Sequence, residues 1–165
     1  MLHFKAYLKS KVLQSNANLL VQTGDITVDE LKQAELELIK CVQARFFSGW
    51  LKYLSCHFVK RGISKSSPIW KLSPILLNGI LRVGGRLENA LITYESKHPV
   101  ILPDHAHFAE LMIDHHHKLV GHSGMNATLT SLRQYYWIEN GRVATQRVLN
   151  NCYFAFGGTR SLTNN

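Results

Sequence analysis

From Val28 onward, apolar side chains recur three and four residues apart, at Leu31, Ala34, Leu38, Ile39, Val42, Phe46 and Trp50. A stripe of that period predicts an amphipathic helix reaching about Leu54, whose apolar face serves either as ordinary core or as a seam for a partner helix. Thr27 followed three residues later by Glu30 forms a capping box at its start, each side chain satisfying the other's backbone N–H. Asp29, Glu30, Glu35 and Glu37 then read as a solvated helix face. Residues 1–25 are weakly patterned and suggest a short helix plus connector. Gly62 and the run from Ser64 to Pro68 mark a break.

Between Ile69 and Pro103 the pattern changes to short apolar runs bounded by Gly, Pro and Asn: Ile69 to Leu72, Gly79 to Val83 and Val100 to Leu102. These predict a small antiparallel sheet. Pro99 and Pro103 flank the last run and argue for an edge strand there. The Gly84-Gly85 pair lacks the Lys-Ser/Thr and following helix of a phosphate loop, so it reads as a tight hairpin turn.

The last third is helical again in three pieces. The first covers about His105 to Lys118, with Asp104 as N-cap and Phe108, Leu111 and Met112 as its apolar face. The second runs from about Met125 to Tyr136 and buries Leu129, Leu132 and one of Tyr135 and Tyr136. The third runs from about Arg142 to Asn151 and offers Val143, Val148 and Leu149. The expected fold class is therefore mainly α (α+β): a long N-terminal helix, a small antiparallel hairpin or sheet, then three helices. The expected organisation is a helical linker over 1–66, a β extension over 67–103, a compact domain over 104–156 and a tail over 157–165. Three helices of this size form a marginal core, which ordinarily needs a metal, a disulfide or a neighbouring domain.

Charge narrows the choice of partners. The chain carries 19 Lys and Arg against 11 Asp and Glu, a net charge of +8, which favours a polyanion such as nucleic acid over mere solubility charge. Its basic residues are dispersed, unlike those of a disordered basic tail. No apolar run approaches the roughly 18 residues needed to span a bilayer. The three cysteines, Cys41, Cys56 and Cys152, are odd in number and far apart, so the expectation is a soluble intracellular protein with reduced thiols.

His117, His122 and Cys152 stand in an H-x4-H…C arrangement. Two imidazoles leaving one helix end and a thiolate arriving from a later helix define three corners of a tetrahedral zinc site. Taken alone, His117 and His122 also fit surface or helix-end residues, and His115 and His116 offer alternative donors. A fourth ligand would be expected three residues after Cys152, where a C-x2-C turn aims both thiolates at one ion, but Ala155 stands there. Losing one of four ligands from a site worth about 10–16 kcal/mol weakens it by orders of magnitude, and water in the fourth position would leave it labile.

Read in order, five segments resemble the polyprotein of BEL/Pao-type LTR retroelements around its integrase zinc-binding (H2C2, or HHCC) domain. They are Leu81-Arg82-Val83-Gly84-Gly85-Arg86-Leu87; His98-Pro99-Val100-Ile101-Leu102-Pro103; His117 with His122-Ser123-Gly124; Leu132-Arg133-Gln134-Tyr135-Tyr136-Trp137-Ile138 with Gly141-Arg142; and Cys152. The similarity extends upstream through Leu31, Ala34, Glu35 and Val42-Gln43 and covers roughly residues 25–155. It implies zinc as cofactor, with the family's two His and two Cys carried over to His117, His122 and Cys152 only. It further implies a helix-turn-helix-like arrangement of the three helices that binds DNA at the element's ends and supports integrase self-association. Met125 to Trp137 would lie nearest to a recognition element, and Arg133, Arg142 and Arg147 would be candidate phosphate contacts, although solvated or intrachain-paired charges are the plainer reading of each. Tyr135, Tyr136 and Trp137 could stack on bases but fit the core better, and Gly124 fits a backbone turn between ligand and helix.

The acidic triad of retroelement integrases is expected downstream of Asn165, and the tail from Phe156 departs from the family's basic continuation. The expectation is accordingly a non-catalytic, truncated or degenerate integrase module, nuclear if functional, with no membrane or small-molecule substrate. The alternative is a domesticated, metal-free protein-interaction module.

Overall fold

The capping box forms as the sequence predicts: Thr27 N–H donates to Glu30 Oε2 at 2.9 Å, and Glu30 N–H donates to Thr27 Oγ1 at 3.2 Å. A computed structural model describes residues 27–55, 67–85, 91 and 93–152. Residues 1–25, Cys56, Gly62 and Ala155 lie outside that range. The chain forms two units, Met1–Cys41 and Val42–Asn165. The first helix, α1 (Val28–Phe46), is followed at once by α2 (Ser48–Ser55), so the single long helix expected from the sequence is interrupted at Phe47. Of the expected stripe Ile39 and Trp50 are buried and Leu31 and Phe46 are exposed, while Gln43 and Phe47, outside the stripe, are also buried.

A 3-10 turn (Trp70–Leu72) occupies the run expected to be the first strand. The strand instead is β1 (Ile75–Leu77), paired antiparallel with β2 (Ile80–Arg82) through Leu76↔Leu81 and its neighbours. Asn78 and Gly79 join them with φ of 52° and 76°, the left-handed backbone that a two-residue hairpin turn requires. The tight turn therefore lies there and not at Gly84-Gly85. Gly84 has another constraint: its N–H donates to Leu72 C=O at 3.1 Å, and a Cβ would stand 2.2 Å from the Ser73 carbonyl oxygen.

After α3 (Tyr94–Lys97), β3 (Val100–Leu102) runs antiparallel to β2 on one side and parallel to β4 (Tyr136–Ile138) on the other. The expected edge strand is thus interior, with all three residues buried. Pro99 and Pro103 flank the ladder without interrupting it, and Pro99 accepts from Val83 N–H at 2.9 Å.

Between β2 and β3 the described pairing is Arg82↔Val100, and a side chain takes over where Leu81 faces Ile101. Gln43, fully buried on α1, donates from Nε2 to the carbonyls of Leu81 and Ile101, both at 2.8 Å. Its Oε1 accepts from Leu81 N–H at 2.7 Å. Around this amide Phe47, Trp50, Ile69, Leu81 and Ile101 form an apolar cluster, and Trp50 Nε1 donates to Ser67 Oγ at 3.0 Å.

The final third contains α4 (His107–Leu119), α5 (Met125–Leu132) and α6 (Gly141–Leu149), which pack pairwise on one another. The described residues therefore give a mixed fold of the expected α+β kind, six helices with a four-stranded sheet ordered β1-β2-β3-β4, in which a strand separates the second and third of the last three helices. The expected second helix, about Met125 to Tyr136, instead ends at Leu132, and Tyr136 to Ile138 form β4. Aromatic and β-branched side chains favour a pleated surface, and the parallel ladder to β3 satisfies their backbone. The recognition-element candidate is correspondingly reduced to Met125–Leu132. No helix among the described residues is long and apolar enough to cross a membrane.

Candidate metal centre

Two imidazoles and a thiol meet where α4 ends and α6 ends. The buried face of α4 is Ala109, Ile113, His116 and His117, and not the expected Phe108, Leu111 and Met112, of which Leu111 is exposed. Asp104 does not cap this helix. Ala106 holds the N-cap position with no side-chain bond, while buried Asp104 accepts from Asn140 Nδ2 at 3.0 Å and so ties the start of α4 to that of α6.

At its other end α4 closes in a Schellman motif. His122 N–H donates to His117 C=O at 2.9 Å, and Gly121 N–H donates to Lys118 C=O at 3.0 Å. Gly121 takes φ 64° in the left-handed region that glycine adopts without penalty. The H-x4-H spacing is therefore the spacing of this cap: its first histidine lies three positions before the cap residue and its second lies just beyond the left-handed glycine. In place of the apolar pair that usually bridges these two positions, the cap brings two imidazoles together, ring centroids 5.0 Å apart. The glycine that matters is thus Gly121. Gly124, at φ −63°, has open space where a Cβ would lie.

Cys152 follows α6, its N–H donating to Leu149 C=O at 2.9 Å, which carries its Sγ to 3.3 Å from His122 Nδ1. One donor atom from each of His117, His122 and Cys152 falls within 4.8 Å of the other two. A tetrahedral site with Zn–N of about 2.0–2.1 Å and Zn–S of about 2.3 Å needs donors about 3.4–3.6 Å apart, so small side-chain adjustments suffice.

Hydrogen bonding also selects the donor atom of His117. Thr128 Oγ1, fully buried, lies 3.3 Å from His117 Nδ1 and within donating distance of the Ser123 and Gly124 carbonyls, at 3.4 and 3.3 Å. With the hydroxyl proton given to a carbonyl, its oxygen accepts from Nδ1–H, and the lone pair of His117 is left on Nε2. That Nε2 is buried and has no hydrogen-bond partner among the described residues. A buried orphan is costly in a metal-free protein and is the atom a metal would use, so the residues present fit zinc as three donors of a set.

The neighbouring histidines do not compete. His116 is buried beside Tyr135 and Tyr136, its Nδ1 is 2.9 Å from Ser131 Oγ, and burial, reinforced by His115, holds its pKa below the ordinary histidine value. It is a neutral core residue.

Residues 104–154 match the integrase zinc binding domain, the H2C2 family. No curated protein and no solved structure matches the chain. Within the H2C2 segment the three arginines singled out from the sequence separate. Arg147 donates to Asp104 C=O at 2.5 Å and pairs with Glu110 Oε1 at 3.3 Å, so its guanidinium is engaged within the domain while its side chain stays 39% exposed. Arg133 is exposed and lies over the Trp137 ring, 5.3 Å from its centroid. It shares with exposed Arg142 a cleft of about 370 Å³ floored by Leu129, Leu132 and Ile138. Tyr136 is buried and Tyr135 is exposed, so one tyrosine serves the core and the other does not.

Proposed function

We propose that the H2C2 segment is the zinc-binding, non-catalytic amino-terminal module of an integrase of BEL/Pao-type retroelement descent, binding nucleic acid and supporting integrase self-association during DNA integration in the nucleus. The observation that carries the reading is the buried, unpartnered Nε2 of His117 with His122 and Cys152 gathered beside it. Zinc, when bound, would supply a cross-link between the end of α4 and the end of α6. The protein's own contribution is positional: the Schellman cap sets the two imidazoles, and Thr128 fixes the tautomer of one.

Nucleic-acid binding is supported by the net charge of +8 and by Arg133 and Arg142 on one cleft. Two measurements test the reading. Calorimetric zinc titration with a circular dichroism readout should give binding and a gain of folded structure, and absence of both would remove the zinc assignment. Duplex DNA affinity should fall steeply with salt, and Arg133→Ala with Arg142→Ala should lower that slope by about 2, whereas Arg147→Ala should leave it unchanged. The alternative of a domesticated, metal-free protein-interaction module draws on Ala155 at the expected fourth ligand position. It would be favoured by a chain that folds fully without zinc and shows a flat salt profile.

A further inference from the structure

We propose that the metal held by His117, His122 and Cys152 takes its fourth ligand from outside its own copy of the chain, and that this ligand is a thiolate; the proposal rests on the zinc reading above. Among the described residues the cluster offers three donors. The candidates beside it are engaged elsewhere: Asp114 with Lys118 at 2.6 Å, Glu110 with Arg147 at 3.3 Å, and His116 Nδ1 with Ser131. In the sequence, residues 153–165 contain no His, Cys, Asp or Glu, so the position that a second cysteine occupies in the family pattern has no substitute nearby along the chain.

Charge decides what kind of ligand fits. A zinc ion with two neutral imidazoles and one thiolate keeps one positive charge, and water as fourth ligand leaves that charge in place. It would lie against His117, which is 1% exposed, in a chain already at +8, with Glu110 and Asp114 of the adjoining cleft each already paired with a cation. An uncompensated charge against a buried wall is unfavourable, and an anionic ligand removes it. Of monodentate anionic donors, thiolate matches zinc best by softness.

There is also a way in. A cleft of about 330 Å³ lined by Glu110, Leu111, Asp114, Arg147, Val148 and Asn151 reaches Cys152, room enough for a small thiol, and its two carboxylates are paired with Arg147 and Lys118. A second source of the same chemistry is the exposed free thiol of Cys41 on another copy of the chain. In either case the incoming thiol binds as thiolate and releases its proton to solvent, with no change of oxidation state.

The test loads the full chain with Co2+ and reads the sulfur-to-cobalt charge-transfer absorbance per cobalt, which scales with the number of bound thiolates. Dilute protein in thiol-free buffer should show the intensity of one thiolate. Titrating 2-mercaptoethanol, or raising the protein concentration, should double it. Doubling with 2-mercaptoethanol alone identifies a small thiol; doubling with concentration identifies a second copy, and Cys41→Ser should remove that rise if Cys41 is the donor. The proposal is overturned if one-thiolate intensity persists through both titrations. It is equally overturned if two-thiolate intensity is present in dilute, thiol-free protein, because the chain then closes the site itself. A chain with no charge-transfer band, or one whose band survives Cys152→Ser in dilute thiol-free buffer, would instead sink the metal assignment beneath it.

Discussion

Replacing His117 with phenylalanine should make the variant more stable than wild type without metal and less stable than wild type with it. Without metal, Nε2 of His117 is buried and has no partner among the described residues, a condition that costs about 1–3 kcal/mol. Phenylalanine removes that polar atom and fills comparable space. It also forfeits the bond from Nδ1 to Thr128, which at 3.3 Å is long and belongs at the lower end of the usual contribution, about 0.5 kcal/mol. Thr128 keeps its carbonyl acceptors at Ser123 and Gly124. The net gain is about 1 kcal/mol, or about 2–4 °C in Tm for a chain of this size. Zinc at about a hundred times its Kd stabilises the wild type by about 2.7 kcal/mol, or about 5–10 °C, and should leave the variant unmoved. Thermal unfolding followed by circular dichroism, in EDTA and in excess zinc, measures both. A variant that melts below wild type in EDTA would refute the orphaned nitrogen, and one that zinc stabilises as much as wild type would refute His117 as a donor.

Gln43→Leu leaves Leu81 N–H and the carbonyls of Leu81 and Ile101 buried without their partner, so urea unfolding should show a loss of about 3–5 kcal/mol; under about 1 kcal/mol would contradict the amide bridge. Gly84→Ala drives a Cβ to 2.2 Å from the Ser73 carbonyl, so the backbone must shift at a cost of about 1–3 kcal/mol in the same assay. Gly121→Ala has open space but requires φ 64° of alanine; it should cost about 1 kcal/mol and weaken zinc binding in calorimetry by displacing His122. Burial first, and then Asp104, raise the pKa of Glu139 above its ordinary 4.5, against a smaller opposing effect of His105. The folded state holds that proton more tightly than the unfolded state, so the contribution is present below 4.5 and is lost as pH rises through the raised value. Glu139→Gln should therefore melt higher than wild type at pH 7 and converge with it below about pH 4.5.

Features that depend on a few neighbouring residues were legible in the sequence. The Thr27–Glu30 box, the extents of α4 and α6 to within two residues, and the short strands at Ile80–Arg82 and Val100–Leu102 all express backbone preferences that operate within one or two turns. The spacing of His117 and His122, with glycine as the fourth intervening residue, belongs to the same class: it encodes a helix cap, and that signal would have directed attention to Gly121 in place of Gly124.

Features that depend on a distant partner were decided only by the tertiary structure. Tyr136 to Ile138 became a strand because β3 supplied a parallel ladder, and no periodicity in so short a run separates strand from helix. Gln43 gave no local sign that it bridges two strands 38 and 58 positions away. Arg147 looked like Arg133 and Arg142 in the sequence, yet folding sets the Asp104 carbonyl and the Glu110 carboxylate against it. Local chemistry thus singled out the three side chains of the candidate site and the cap that aims two of them, while long-range packing brought Cys152 to that site and left the His117 nitrogen buried beside it. The reason is physical: helix caps and tight turns close over a few bonds, whereas burial and cross-strand pairing depend on which distant segments the whole chain brings together.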